Sequence, residues 1–445
     1  MEQKYRFAMA FVLLSLWIAA SAVGADWELS FRGHVPRIDI TTVGGVPVTS
    51  RTEYVAAHLT LDGSETFASL SDSVLIRGRG NTSWRAYPKK SYRLRFAHKQ
   101  QLFGSVLNRH YVLIANYIDP TLCVNAAALK AARLAGSAYA GHATPVELYL
   151  NGEYLGSYLM TEKVRVGSGS VDIDENDGVL LELDVNYDEP QRFVSSRYCL
   201  PVMVHHPDGA DIPSIARRWE AFEQAVRDGT DLTPHADLDA LVRYLFVYDL
   251  FCNNEVAHPK SIYCSYEGMD GQITFGPVWD FDWSCGYLGE RYFDLPFLEP
   301  FQQGQWFSVT PVTDYQGGAS AYNGYPFFDC LMHHPQVLPA YTSFCSDTLS
   351  KGFLDSLLAY IDRYAAFISS SKEHDSSLWH KDSVEGQVEN LKEWLTARSD
   401  TLLARSHDYL VGINILEQAS PSTNVLPYPV TTNVYIYKGK KILIR

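Results

Sequence analysis

Near Gly178 the apolar residues stop alternating with polar ones and begin to recur at helical spacing, so one chain must build both a sheet and a set of helices. Before that point short β-like runs sit between turn residues: Val55 to Leu61, Val74 to Arg77, Ser91 to Phe96 and Tyr111 to Ala115. Leu122 to Leu134, rich in Ala and Leu and stopped by Gly136, reads as a helix. Val146 to Leu150 and Leu155 to Lys163 flank Asn151-Gly152, a strong hairpin turn. After one more buried strand, Val179 to Leu183, helical periodicity takes over at 212–227 and 238–251 and returns at 327–349, 352–369 and 384–410. A second hairpin interrupts it, with 261–266 and 272–279 joined by Glu267-Gly268-Met269-Asp270-Gly271. Residues 295–325 read as a loop-rich insertion. The class is α+β: residues 26–165 form a mostly antiparallel sheet with one helix, residues 166–415 a mainly helical part, and 416–445 a linker with a short terminal β segment.

The first 25 residues have a different purpose. Lys4 and Arg6 precede the apolar run Phe7 to Ala20, and small residues follow to Ala25, the order of a cleaved signal peptide. The run is shorter than the roughly 20 residues a spanning helix needs, and no later segment is apolar enough, so no transmembrane segment is expected after cleavage. The mature chain is expected outside the cytoplasm, secreted, periplasmic or at the cell surface. A formal net charge of −14 argues against a general nucleic-acid binder, which needs clustered Lys and Arg. Seven cysteines lack any Cys-x-x-Cys pair, which excludes the usual zinc spacing, and the odd number leaves at least one thiol unpaired.

Three constellations carry chemistry. Residues 76–84, Ile-Arg-Gly-Arg-Gly-Asn-Thr-Ser-Trp, form a glycine-containing turn after a strand, where Arg77 and Arg79 offer forked donors to phosphate oxygens and Asn81 a further polar contact. The following strand begins at Lys90, the candidate phosphate-contacting lysine, with Lys89 as its fallback and Arg93 and Arg95 alternating beyond. Residues 275–283, Phe-Gly-Pro-Val-Trp-Asp-Phe-Asp-Trp, end an apolar strand with two carboxylates separated by one aromatic. Asp280 and Asp282 are hard oxygen ligands of the kind Mg²⁺ takes, and burying them among aromatics demands a cation or a basic partner. Upstream, residues 251–260 close a helix with Asn253, Asn254, Glu255 and His258. Glu255 or His258 is the candidate hydroxyl-proton acceptor and Asn253 or Asn254, with Asn254 preferred, a candidate cation ligand. Glu162, Glu182 and Asp184 are further acids at the junction of the two halves, with Glu162 a candidate contact for a nucleotide's base. Each feature also has an ordinary structural reading: solvated turn arginines, an edge strand blunted by charge, capping or salt-bridged acids.

Taken in order from Ile76 to Gly286, these motifs resemble the CotH kinase family. The resemblance rests on residues 77–84 with Lys89-Lys90-Ser91-Tyr92-Arg93-Leu94, then 115–120, 146–158, 180–184 and Gly276-Pro277-Val278-Trp279-Asp280-Phe281-Asp282-Trp283. It implies an atypical protein-kinase-like two-lobed fold, with an antiparallel-sheet N-lobe and a mainly helical C-lobe. It also implies ATP with Mg²⁺ or Mn²⁺ as cofactors, and Ser or Thr of exported or surface proteins as acceptors. By position Asp280 resembles the family's metal-binding aspartate and Lys90 its phosphate-contacting lysine. Two departures stand out. Residues 254–258 lack the Asp that many members carry before the hairpin, leaving Glu255 as the substitute, and Val124 stands where an Arg commonly precedes the Asn matched by Asn125. The rival reading is a catalytically weak or inactive surface module or adhesin on the same fold.

Overall fold

The computed structural model describes residues 31–256, 259–268, 270–285, 324–379, 386–419, 433–437 and 440–444. The expected leader, His258 and the 295–323 stretch of the expected insertion lie outside the described residues, as does the side chain of Asn254.

Seven strands of the first half close into a barrel. In chain order they are β1 (Arg37–Thr42), β2 (Val55–Asp62), β3 (Leu70–Arg79), β4 (Ser91–Gln100), β5 (Asn108–Ile114), β6 (Thr144–Leu150) and β7 (Glu153–Glu162). Their order around the barrel is β1-β2-β3-β4-β5-β7-β6. All neighbours are antiparallel except β1 and β6, which close the ring in parallel with Ile38 opposite Leu148. Period-two alternation fills the interior with Ile38, Ile40, Val74, Ile76, Leu94, Phe96, Tyr111, Leu113, Val146, Leu148, Tyr158 and Met160. The Asn151-Gly152 turn between β6 and β7 has both residues at positive φ, 53° and 84°, as a two-residue hairpin requires. Gly78 is needed for a different reason. A Cβ there would sit 2.3 Å from the ring of Trp84, which packs against the barrel core from the short helix α1 (Thr82–Ala86).

Val112 and Ile114 of β5 and Leu159 of β7 share one core with α2 (Val124–Leu134), whose buried alanines 126, 127, 128, 131 and 132 allow a close approach to the helices at 238–250 and 353–378. Beyond lies a second, antiparallel sheet, built from β8 (Gly178–Leu183), β9 (Arg192–Val194), β10 (Pro201–His206), β11 (Ile262–Glu267) and β12 (Thr274–Phe275) in the order β12-β11-β8-β10-β9. Helices α3 (Ile212–Asp228) and α4 (Leu238–Leu250) begin where Asp211 and Asp237 accept bonds from Ser214 N and Ala240 N, 3.2 and 3.0 Å. The remaining helices are α5 (Gly324–Met332), α6 (Val337–Ser350), α7 (Phe353–Leu378) and α8 (Gln387–Ala419). The helix read at 327–349 is therefore two, divided around Pro335, whose ring cannot continue a helix. Strands β13 (Asn433–Tyr437) and β14 (Lys440–Ile444) pair antiparallel near the C-terminus. Among the described residues no helix is long and apolar enough to cross a membrane.

This architecture corrects the expected fold. The protein is not a two-lobed kinase-like molecule with an antiparallel-sheet N-lobe and a mainly helical C-lobe. It is a closed mixed barrel joined to a second five-stranded sheet and helices. Two things hid this in the sequence. The parallel β1–β6 pairing joins residues about a hundred positions apart, and neither strand carries a mark of a distant partner. Strands β9 and β10 are too short to show a period among the helical signals around them.

Candidate active site

The outer face of the barrel and one face of the second sheet enclose a cavity of about 640 Å³. Strand parity decides what enters it. In β3 and β4 the even positions fill the barrel, so Arg77, Arg79 and Arg93 point outward, with Arg77 and Arg93 directly opposite each other across the strands. In β5 the outward residues are Val112 and Ile114, and past β7 the same parity delivers Lys163. One wall is therefore cationic, with an apolar strip, although the molecule as a whole is acidic.

The opposite wall is anionic. Met203, Glu182 and Tyr263 stand in a row across β10, β8 and β11, flanked by His205 and Asp184. His205 Nε2 pairs with Glu182, and its Nδ1 lies 3.6 Å from Glu189. Burial opposes the imidazolium, but the Glu182 charge and hydrogen bond outweigh it and raise the His205 pKa. Glu255, Asp280 and Asp282 complete this wall.

Their supports are local. Asp280 takes a positive φ of 56°, tolerated by Asp better than by most residues, and so turns the chain between two aromatic anchors. Tyr248 OH donates to the Trp279 carbonyl, 3.3 Å, and Asn253 Nδ2 to the Asp280 carbonyl, 3.2 Å. Asn125 of α2 is the hub: its Nδ2 donates to Asp282 Oδ1 at 2.6 Å and Asn116 Oδ1 at 3.0 Å, while its Oδ1 accepts from Phe281 N at 2.9 Å. Burial raises the pKa of Asp280, a shift opposed by Arg79 and Lys260. Burial and then the Asp280 charge push Asp282 up to about 7. Burial and then Asp280 push Glu255 well above the usual carboxylate range.

Buried acids whose charged forms are disfavoured suit a bound cation, and Glu255 Oε2 has no hydrogen-bond partner among the described residues. Among those residues no group of three or more His, Cys, Asp or Glu side chains forms a ready-made cage. The donors therefore fit a hard divalent ion that completes its shell with a ligand's phosphate oxygens and water.

The structure brings Arg77, Arg79, Asn81, Glu255, Asp280 and Asp282 to this one cavity and leaves other candidates elsewhere. Lys90 shares parity with Tyr92 and Leu94, and its Nζ donates to the carbonyls of Trp84 and Tyr87, 2.6 and 2.5 Å. Lys89, its fallback, is fully buried and paired with Asp375 of α7. Glu162 accepts from His142 N, 2.8 Å, and pairs with His142 Nδ1, 3.0 Å, outside the cavity lining. Sequence reasoning passed over Lys163 and Asn125 as site residues. The parity of β7 was the available signal for Lys163, since Leu159 and Lys163 share the outward face while Tyr158 and Met160 fill the barrel.

No curated protein matches the chain. The family described as CotH kinase protein matches residues 76–402, a span that holds both walls of the cavity and most of the helices. The chain belongs to the CotH kinase protein family.

Proposed function

We propose that this chain is an exported phosphotransferase that moves the γ-phosphoryl group of ATP to a Ser or Thr hydroxyl of an exported or surface protein. The observation that carries this reading is the pairing of Arg77, Arg79, Arg93 and Lys163 on one wall with Glu255, Asp280 and Asp282 on the other, across a space of about 640 Å³. That volume is in the range of small-ligand sites. Phosphoryl transfer asks a protein mainly for positioning and charge neutralisation. Guanidinium groups hold phosphate oxygens in forked geometry. Asp280, with Asp282 beside it, would hold Mg²⁺ or Mn²⁺, which when bound neutralises charge developing on the phosphate oxygens. Glu255, whose pKa burial and then the Asp280 charge raise, is the group that accepts the hydroxyl proton once cations in the cavity draw its pKa down. The leader at residues 1–25 supports export.

The test is transfer of label from γ-labelled ATP with Mg²⁺ or Mn²⁺ to the protein itself or to a basic or casein-like acceptor. The wild type labels and Asp280→Asn does not. Nucleotide binding without any transfer would instead support an inactive binding module, a reading favoured by the Glu that replaces the family's usual Asp at 255. Absence of nucleotide binding would overturn the enzyme reading.

A further inference from the structure

Two of the seven cysteines meet beside the acid turn. Cys252 follows the end of α4, Cys285 closes the turn that carries Asp280 and Asp282, and both are thiols in this structure. The Cys285 N–H donates to the Phe251 carbonyl at 2.7 Å. Cys252 is joined to that carbonyl by its own peptide bond, so standard bond lengths keep the two Cα atoms within about 6.5 Å, inside the roughly 4.4–6.8 Å span that a disulfide bridges. Burial pushes the Cys285 thiol well above its usual range and Cys252 adds to the shift, as a sulfur close by would. Two long contacts engage the sulfurs: Cys252 Sγ donates to the Asp249 carbonyl and Cys285 Sγ accepts from Ser284 Oγ, each at 3.7 Å, and a χ1 rotation releases both. Both residues also take positive φ, 46° and 53°, a conformation that ordinary side chains keep only where the surroundings impose it.

We propose that Cys252 and Cys285 are a disulfide site, and that the bond pins the segment bearing Asn253 and Glu255 to the turn bearing Asp280 and Asp282. The oxidant is a small-molecule or protein disulfide, the class that a chain exported as proposed meets. Cys252 is half-buried and Cys285 fully buried, so Cys252 is the sulfur an oxidant reaches first. Its thiolate attacks one sulfur of the oxidant, forming a mixed disulfide and releasing one thiolate. The Cys285 thiolate then attacks Cys252 Sγ and displaces the second. Two S–H bonds are lost and one S–S bond is formed, while the oxidant takes two electrons and two protons and leaves as two thiols. Asn253 Nδ2 already donates to the Asp280 carbonyl at 3.2 Å and Tyr248 OH to the Trp279 carbonyl at 3.3 Å, so the bond fixes a contact that exists without it. The cross-link stands on this geometry alone, and only its effect on phosphoryl transfer rests on the function proposed above.

The test is a mass map of the full chain after native equilibration with oxidised glutathione, alkylation of the remaining thiols in denaturant, and digestion with trypsin and chymotrypsin. Trypsin cuts at Lys260, between the two cysteines, and chymotrypsin at the aromatic residues between Cys264 and Cys285, so a cross-linked peptide identifies its own pair. A Cys252–Cys285 peptide is expected, lighter by two hydrogen atoms than its separate halves and lost on reduction with dithiothreitol. Oxidised wild type should melt several degrees above reduced wild type, while Cys252→Ser and Cys285→Ala form no such peptide and melt alike in both redox states. Label transfer should survive, in the oxidised form, heating that inactivates the reduced form. A cross-link with no label transfer in either redox state keeps the disulfide site and removes the phosphotransfer reading. Recovery of both cysteines as alkylated thiols, or as separate glutathione adducts, overturns the disulfide site. A melting difference between redox states that persists in Cys252→Ser overturns the pinning.

Discussion

Glu255 is buried with one oxygen unpartnered, so Glu255→Gln should leave the ligand-free protein as stable as wild type or more stable, while lowering label transfer by about 10² to 10⁴-fold. Paired melting and transfer measurements check both halves. Asp184 gives a pH signature. Burial and the neighbouring Glu182 raise it from 3.8 to about 7, so the folded state holds a proton that the unfolded chain has released between those values. Its contribution is complete below pH 3.8 and lost as pH rises through 7, and Asp184→Asn should flatten that part of a plot of ligand-free Tm against pH. Much at this scale was legible in the sequence. Asp280 and Asp282 stood out because two acids among Trp279, Phe281 and Trp283 cannot be buried idly. Lys163 lines the cavity and Lys89 and Lys90 do not, a difference the sequence hides because the three lysines look alike in it. Only the inward direction of Tyr92 and Leu94, and of Tyr158 and Met160, decides which of them reaches the cavity.

Among the elements, α2 connects the barrel to the acid turn. Asn125 joins Asn116 at the end of β5 to Phe281 and Asp282, so Asn125→Ala should cost about 1–3 kcal/mol in denaturant unfolding and also reduce transfer. The hairpin at Asn151-Gly152 and the strands on either side were readable because their register is fixed by two residues. Strand β1 was not, since its partners β2 and β6 are set by the barrel as a whole, and its six residues match many possible edges. In the glycine turn at 78–80 the space beside Gly78 is filled by Trp84, while Gly78, Gly80 and Asn81 line the cavity.

A buried polar seam joins the barrel to α7. Lys89 and Asp375 are 0% and 1% exposed, Asp375 Oδ1 also accepts from Ser157 N at 3.0 Å, and Trp379 Nε1 donates to the Leu155 carbonyl at 3.1 Å. Asp375→Ala strands the Lys89 charge inside the protein and should cost about 3–5 kcal/mol, measurable by urea unfolding. Gly156→Ala attacks the same seam sterically, because its Cβ would lie 2.2 Å from Asp375 Oδ1 at a φ of 105°, so a fall in Tm is expected there too. Ring closure has a further result during synthesis. Strand β1 leaves the ribosome early, but the parallel neighbour that covers its other edge arrives only with residues 144–150. A nascent chain shorter than that presents a bare apolar ribbon through Ile38 and Ile40, so release before β6 has emerged exposes a surface primed for intermolecular strand addition.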